Sequence, residues 1–213
     1  MSVKTYWLER IPKLQRSLRR FTYGTNCGSR AGKACPAAGE WGHNASVKLD
    51  VIILPGLLDI MPVAREVAPL PDPVPYPLAC TKCGYVFTPE DEFQVNGDWF
   101  YRRGDTGEEM ILDDAPPGAT WDAHWMHDCP DWCGPDGLCI FCRCPDGHDW
   151  MIDSRASNCT LPQDKVHRCW IRHGDPRKAE LTVDKNGVTC AAGAGSILTP
   201  HWHGFLRGGL LVE

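Results

Sequence analysis

The sequence predicts a mainly β fold, a small α+β protein built from short β-hairpins with one amphipathic helix at its N-terminus. Short apolar segments alternate with turn-forming Gly, Asn, Asp and Pro residues, a pattern typical of hairpins. The chain also has 21 Gly, 18 Pro and 12 Cys among its 213 residues, which favours a loop-rich fold held partly by cross-links.

The N-terminal helix is predicted from apolar residues at spacings of 4, 3, 4 and 3, which lie on one helical face: Trp7, Ile11, Leu14, Leu18 and Phe21. Basic residues occupy the other side, and Pro12 would begin or kink the helix. Two interpretations stay open. The helix packs on the body of the protein, or it is a basic arm that docks on an acidic surface or a membrane face.

We expect three regions along the chain. Residues 1–46 comprise the basic helix and an irregular Gly-rich loop. Residues 47–79 begin with an alternating strand and continue into a spacer with a proline at every second position over 69–77, which favours an extended backbone. Residues 80–213 form a Cys-rich β domain.

Within the Cys-rich domain, Thr88-Pro89 predicts a helix start and Asn96-Gly97 predicts a hairpin turn. Further turns between strands are expected at residues 104–107, 115–118, 145–148 and 184–187, and within the C-terminal segment 201–213.

The charge distribution argues against nucleic-acid binding. The net charge is −5, and residues 1–22 hold six basic residues and one acid, so the rest of the chain is strongly acidic. Phosphate neutralisation requires clustered Lys and Arg. An unknown protein partner is therefore the expected kind of ligand, and the oligomeric state is left open.

The sequence predicts neither export nor a membrane span. The N-terminus lacks an apolar signal core, and the most apolar segment, residues 51–64, is interrupted by Pro55, Asp59 and Pro62. We therefore expect a cytoplasmic protein. Thiols stay reduced in the cytoplasm, which favours zinc over disulfides for the cysteines.

The strongest metal-binding motif is Cys80-Thr81-Lys82-Cys83-Gly84. Two thiolates separated by two residues can bind one tetrahedral zinc ion, and the glycine allows the tight turn that directs backbone N–H groups at sulfur. A redox role is the alternative, although no βαβ pattern surrounds the motif. The predicted fold class thus includes a zinc-ribbon-like knuckle with structural zinc.

Cys129 and Cys133 are the favoured completion of this zinc site, because they lie in a predicted loop that can direct both thiols to one point. A local disulfide between them is the competing interpretation. Cys139 and Cys142 repeat the same spacing, but they fall in a predicted strand, where residues three apart point to opposite faces.

Two other groups remain open. Cys159 and Cys169 could form a disulfide or half of a second metal site. His201 and His203 would lie on one face of a strand and could chelate together, or they could be solvated or satisfied within the core.

Residues 80–213 resemble a family of tailed-phage proteins, related to a wider domain family of unknown function in phages and bacteria. The resemblance is carried by CTKCGYVFTPEDEFQ, CPDGHDWMIDSRASNCT and HGFLRGG. It implies a phage origin and metal binding, with Cys80 and Cys83 as early ligands and His203 as a late ligand. The chain departs from the wider family with Gly195 in place of a proline and His201 in place of a cysteine.

Three functional hypotheses follow. The favoured one is a non-enzymatic, zinc-stabilised accessory protein of a phage that acts by binding in the host cytoplasm. The second is a Cys–His hydrolase with Cys159 or Cys190 as nucleophile and His203 or His148 as base. The third is a minor structural component of the virion.

Overall fold

The computed structural model describes residues 2–22, 35, 42–56, 68–129, 132–153, 155–156, 159–161, 163–164, 167–185 and 195–213. The prediction of a mainly β fold is confirmed, and the helical segments are short turns of 3-10 helix. Among the described residues, no helix is long and apolar enough to cross a membrane.

The strands are β1 (Val3–Lys4), β2 (Tyr6–Phe21), β3 (Asn44–Ile53), β4 (Glu92–Arg103), β5 (Glu109–Ile111), β6 (Ala119–Asp122), β7 (Ile140–Arg143), β8 (Asp149–Met151), β9 (Trp170–His173), β10 (Thr182–Lys185), β11 (Ile197–Leu198), β12 (His203–Arg207) and β13 (Leu210–Val212). The 3-10 turns include Leu112–Asp114, His124–Met126 and Pro176–Lys178.

The chain divides into two compact units. The first unit comprises Met1–Arg10 and Tyr101–Glu213, and the second comprises Ile11–Phe100. The divisions fall inside β2 and β4, so each of these long strands contributes residues to both units.

The first unit contains an antiparallel sheet in the order β1-β13-β12-β11 and a separate antiparallel pair of β9 and β10. The start of β2 pairs in parallel with β6, which continues antiparallel into β7 and β8. Trp7, Ile140, Leu206 and Leu211 from these strands pack in one buried core, so the apolar positions of four separate strands stabilise this unit together.

In the second unit, β2 pairs antiparallel with β3, with a shift of register between Gln15 and Ser17, and it also neighbours β4. The strand predicted at the start of residues 47–79 is thereby confirmed as part of β3. The proline-rich residues 69–77 form no regular helix or strand, and they belong to this unit.

The prediction of an N-terminal amphipathic helix is wrong, because residues 6–21 form the continuous strand β2. Leu14, Arg16 and Leu18 are buried at the two-residue period of a strand, and Gln15 is buried as well, next to the shift of register. Leu14 and Leu18 are four residues apart, a spacing that puts two side chains on one face of a strand as well as of a helix. Because the buried residue between them, Arg16, is charged, the sequence shows no alternation of apolar and polar residues here.

Arg16 is buried with hydrogen-bond partners for each of its three guanidinium nitrogens. Its Nε and Nη2 atoms donate to the two carboxylate oxygens of Asp50 at 2.7 and 2.8 Å. Nη1 donates to the carbonyl of Ala68 at 2.5 Å, and Nη2 also reaches the carbonyl of Pro69 at 3.0 Å. Bidentate pairing compensates for the desolvation of the charge, and hydropathy alone cannot reveal such a partner.

The hairpin predicted at Asn96-Gly97 is absent, since both residues lie inside the uninterrupted strand β4. The glycine serves close packing instead of a turn. A Cβ atom at position 97 would lie 2.7 Å from Cδ2 of Leu14, closer than carbon atoms pack. Gly97 therefore lets β4 approach the side chain of Leu14.

The helix start predicted at Thr88 is also wrong. The carboxylate of Asp91 accepts from the backbone N–H of Thr88 at 2.7 Å and from its hydroxyl at 3.2 Å, which closes a turn. The chain then enters β4 directly. Local side chain to backbone bonding of this kind favours turns as readily as helix caps.

Other turn predictions are confirmed. β4 and β5 flank residues 104–107, where Gly107 has a φ of 75°. β7 and β8 flank residues 145–148, and β12 and β13 form the C-terminal hairpin.

Two predictions lie partly outside the described residues. β10 pairs antiparallel with β9, whereas its predicted partner at 188–190 is not described. Of the Gly-rich loop predicted at the end of residues 1–46, residue 35 and residues 42–46 are described.

Candidate metal centre

Four potential metal ligands converge in the second unit: Cys35, His43, Cys80 and Cys83. Each offers one sulfur or ring nitrogen atom, and these atoms all lie within 4.8 Å of one another. Tetrahedral zinc, with ligand distances of about 2.0–2.3 Å, separates its ligand atoms by about 3.5–3.8 Å. The cluster is therefore compact enough for one ion after small side-chain adjustments.

A tight turn brings the two sulfur atoms of Cys80 and Cys83 together. The N–H of Gly84 donates to the carbonyl of Cys80 at 2.9 Å, and the N–H of Cys80 donates to the carbonyl of Tyr85 at 2.8 Å. Gly84 has a φ of 75°, a conformation that is costly for residues with a Cβ atom. The expectation that this glycine permits the turn is confirmed.

His43 is held in place from its backbone and from its ring. Its N–H donates to the hydroxyl of Thr22 at 2.9 Å. Its ring stacks on Tyr85, with the ring centroids 4.0 Å apart and the planes 5° from parallel. Its Nδ1 atom lies 3.1 Å from Sγ of Cys83, so the imidazole is directed at the thiols.

The electrostatic environment favours a thiolate at Cys80. Burial raises its pKa, but the backbone N–H groups of Lys82, Asn44 and Cys83 and the ring of His43 outweigh burial and lower the pKa to about 6. A thiol with a low pKa is deprotonated at neutral pH, and the thiolate is the form that binds metal.

The environment of Cys83 acts in the opposite direction. The N–H of Tyr85 lowers its pKa, but partial desolvation by neighbouring atoms and the adjacent Cys35 and Cys80 outweigh this donor and raise the pKa overall. Adjacent thiolates repel one another, so one charge in the cluster suppresses the next. A divalent cation would remove this repulsion.

Cys35 completes the cluster from inside the unit. It is fully buried and packs with Ala45, Cys80 and Phe87 in a small core. Sequence analysis missed both Cys35 and His43, because they lie in a Gly-rich segment interpreted as a loop. The signal that could have identified them is a Cys and a His eight residues apart, upstream of the Cys80 motif.

Cys80 and Cys83 cluster with Cys35 and His43 and not with the predicted Cys129 and Cys133. The latter two residues lie in the first unit. Cys129 is exposed. The buried thiol of Cys133 lies 3.8 Å from the carbonyl of Met126, and burial raises its pKa. Cys133 packs against Cys139, so its surroundings are those of a core residue.

His203 was the predicted late ligand. It is exposed on β12, opposite Leu198 of β11, and it belongs to neither of the two clusters of potential metal ligands in the described part of the chain. Its neighbour in sequence, His201, contacts His148 instead, with ring centroids 5.9 Å apart.

Cys139 and Cys142 lie in different parts of the first unit. Cys142 packs in the main core with Cys144, whereas Cys139 packs with Cys133. Burial raises the pKa of Cys142 well above its ordinary value and raises the pKa of Cys144 to about 12. These thiols are protonated at neutral pH, so they behave as apolar core residues.

The second cluster comprises Cys159, His167 and Cys169 in the first unit, with ligand atoms within 4.8 Å of one another. The structure contains no bond between Cys159 and Cys169 or between Cys129 and Cys133, the two pairs for which a disulfide was the alternative interpretation. The imidazole that accompanies Cys159 here belongs to His167, whereas the hydrolase hypothesis named His203 or His148. Its other nucleophile, Cys190, lies outside the described residues.

In comparisons with known proteins, the chain matches no family model, no curated protein and no solved structure. The geometry of the two clusters is therefore the basis for a functional interpretation.

Proposed function

We propose that this chain is a zinc-stabilised binding module, an accessory protein of a tailed phage that acts in the host cytoplasm without catalysing a reaction. Zinc would be held by Cys35, His43, Cys80 and Cys83 in a zinc-ribbon-like knuckle. The phage origin and the location rest on the resemblance of residues 80–213 to tailed-phage proteins.

One observation carries the proposal: the cluster supplies four protein ligands. Structural zinc sites are closed, with four Cys or His ligands, whereas catalytic sites leave one position for water or substrate. Three thiolates and one imidazole match the Cys₃His set of structural sites. Three of the four residues are also buried, which would limit the access of water to a bound ion.

Exposed aromatic residues support a binding role. Trp125 and Trp132 of the first unit are 51% and 47% exposed. Tryptophan is enriched at the energetic centres of protein interfaces.

The test is zinc analysis of the purified, reduced protein and of three variants. His43→Ala should bind one zinc fewer per chain than the unsubstituted protein, because it removes one of four ligands. His43→Cys should retain that zinc, since Cys₄ sites are equally suited to structural zinc. Cys129→Ser removes an exposed thiol outside the cluster and should retain it as well.

The matched pair at position 43 separates ligation from packing, because both substitutions remove the ring that stacks on Tyr85. Equal zinc content in His43→Ala and the unsubstituted protein would contradict the proposal. So would loss of zinc from Cys129→Ser with full retention in His43→Ala, which would place the site where the sequence alone had predicted it.

A further inference from the structure

A second set of metal-binding side chains lies in the first unit, apart in sequence from the knuckle. Cys159, His167 and Cys169 each direct one ligand atom into a group in which all three atoms lie within 4.8 Å. His167 and Cys169 are buried, and Cys159 is half-buried. We propose that these three residues bind a second divalent cation of the zinc type, independently of the site at Cys80.

The spacing of His167 and Cys169 fits a shared ion. Nε2 of His167 lies 3.6 Å from Sγ of Cys169, close to the distance of about 3.5 Å between nitrogen and sulfur ligands of tetrahedral zinc. The two residues are two positions apart and lead directly into β9 (Trp170–His173). This short chain segment, which ends immediately before the first residue of β9, therefore supplies two ligands.

Two backbone hydrogen bonds involve the third ligand, Cys159. The N–H of Leu161 donates to Sγ of Cys159 at 3.4 Å, and the N–H of Cys159 donates to the carbonyl of Ala156 at 3.0 Å. These two hydrogen bonds fix the position of the Cys159 sulfur.

Arg155 donates hydrogen bonds to two backbone carbonyls near the ligands. Its guanidinium donates to the carbonyl of Leu161 at 2.5 Å and to the carbonyl of Asp164. Both carbonyls belong to residues between Cys159 and His167 in sequence, so one side chain contacts two points between the two ligands. The N–H of His167 in turn donates to the carboxylate of Asp164 at 3.2 Å.

The chemistry of the ligand set favours a borderline-soft cation. Two thiolates would neutralise the charge of a divalent ion. A ligand set of sulfur and imidazole favours zinc over ions that prefer oxygen ligands, such as magnesium. The three side chains would occupy three of the four ligand positions of a tetrahedral zinc ion, and a fourth donor would come from outside these three residues. A disulfide between Cys159 and Cys169 is the competing chemistry. It requires a sulfur–sulfur distance of about 2.05 Å, and it would leave His167 without a ligand role.

Zinc stoichiometry of the reduced, full-length protein tests the proposal. We expect two zinc ions per chain in the unsubstituted protein, one in the double variant Cys159→Ser/Cys169→Ser, one in Cys80→Ser/Cys83→Ser, and none when all four substitutions are combined. Two ions in Cys159→Ser/Cys169→Ser would overturn the inference. A single ion in the unsubstituted protein that is lost only from Cys80→Ser/Cys83→Ser would do so too, while leaving the first site intact.

Two controls separate ligation from damage to the fold. His173→Ala removes an exposed histidine of β9 and should leave both ions bound. Cys144→Ser places a hydroxyl in the core of the same unit, so it should lower stability and still bind both ions. Loss of the second ion from Cys144→Ser to the same extent as from Cys159→Ser/Cys169→Ser would count against direct ligation.

Cobalt substitution tests the imidazole itself. His167→Cys should keep the second ion and strengthen the sulfur-to-cobalt charge-transfer absorption, because a third thiolate replaces a nitrogen ligand. His167→Ala should weaken retention of that ion. An unchanged cobalt spectrum in His167→Cys would show that position 167 does not contact the metal.

Discussion

Single polar residues hold distant turns of the first unit together, and Asp146 is the clearest case. Its carboxylate accepts from the hydroxyl of Thr199 at 2.6 Å, from the N–H of His201 at 3.1 Å and from the N–H of His148 at 3.2 Å. Burial raises the pKa of Asp146, but these donors and the charge of His148 outweigh burial and lower the pKa to about 2. Asp146 thereby connects the turn between β7 and β8 to the segment before β12.

We expect Asp146→Asn to lower the free energy of unfolding at pH 7 by about 1–2 kcal/mol, because an amide replaces a charged acceptor of several hydrogen bonds. The folded-state pKa lies below the ordinary value of 3.8. The stabilising contribution is therefore fully present above about pH 4 and is lost as the pH falls through about 2. Urea unfolding of both proteins at pH 7, 4 and 3 measures this difference.

The matched control is Asp128→Asn, which changes an exposed aspartate of the same unit and should alter stability by less than about 0.5 kcal/mol. A difference between the unsubstituted protein and Asp146→Asn that stays constant from pH 7 to pH 3 would show that the carboxylate charge does not contribute.

At the scale of elements, long strands replace two features that local patterns suggested. β2 occupies the place of the predicted helix, and β4 runs through the predicted turn at Asn96-Gly97. In both cases the local signal was genuine but ambiguous. A spacing of four residues suits either a helix or a strand, and a glycine suits either a turn or a close contact. Pairing between strands resolved the ambiguity.

Gly97→Ala should reduce the free energy of unfolding by about 1–3 kcal/mol, the range for overpacking in a tight interior. The reason is the 2.7 Å approach of the added Cβ to Cδ2 of the fully buried Leu14. Gly56→Ala is the control in the same unit, since a Cβ at position 56 would meet no atom within 4 Å. Equal stability of the two variants in chemical denaturation would refute this account of β4.

At the scale of the whole molecule, each compact unit has a core of its own, and the described residues of each contain one cluster of potential metal ligands. The knuckle cluster adjoins the small core around Phe87 in the second unit, and the main core of the first unit is built on Leu206 and Leu211. Loss of the first ion should therefore loosen the second unit selectively.

Hydrogen exchange measures this selectivity. In Cys80→Ser/Cys83→Ser, amides of residues 42–54 and 79–87 should exchange about 100-fold faster or more, the factor expected when free zinc exceeds its Kd by 100. Amides of β12 and β13 should keep their protection. Cys129→Ser should resemble the unsubstituted protein, and a uniform rise across both units would argue against separate stabilisation.

The sequence by itself determined the mainly β class, the turns at residues 104–107 and 145–148, the C-terminal hairpin, and two of the four clustered residues, Cys80 and Cys83. Gly107, Gly147 and the pair Cys80 and Cys83 act within a few residues of chain, so their chemistry can be read locally. The tertiary structure decided the rest. Cys35 and His43 join Cys80 because folding of the second unit brings positions about forty residues apart into contact. Arg16 can be buried because Asp50 of the neighbouring strand β3 pairs with it. Spacing along a chain carries no information about such distant partners, since the pairing of strands sets which residues meet.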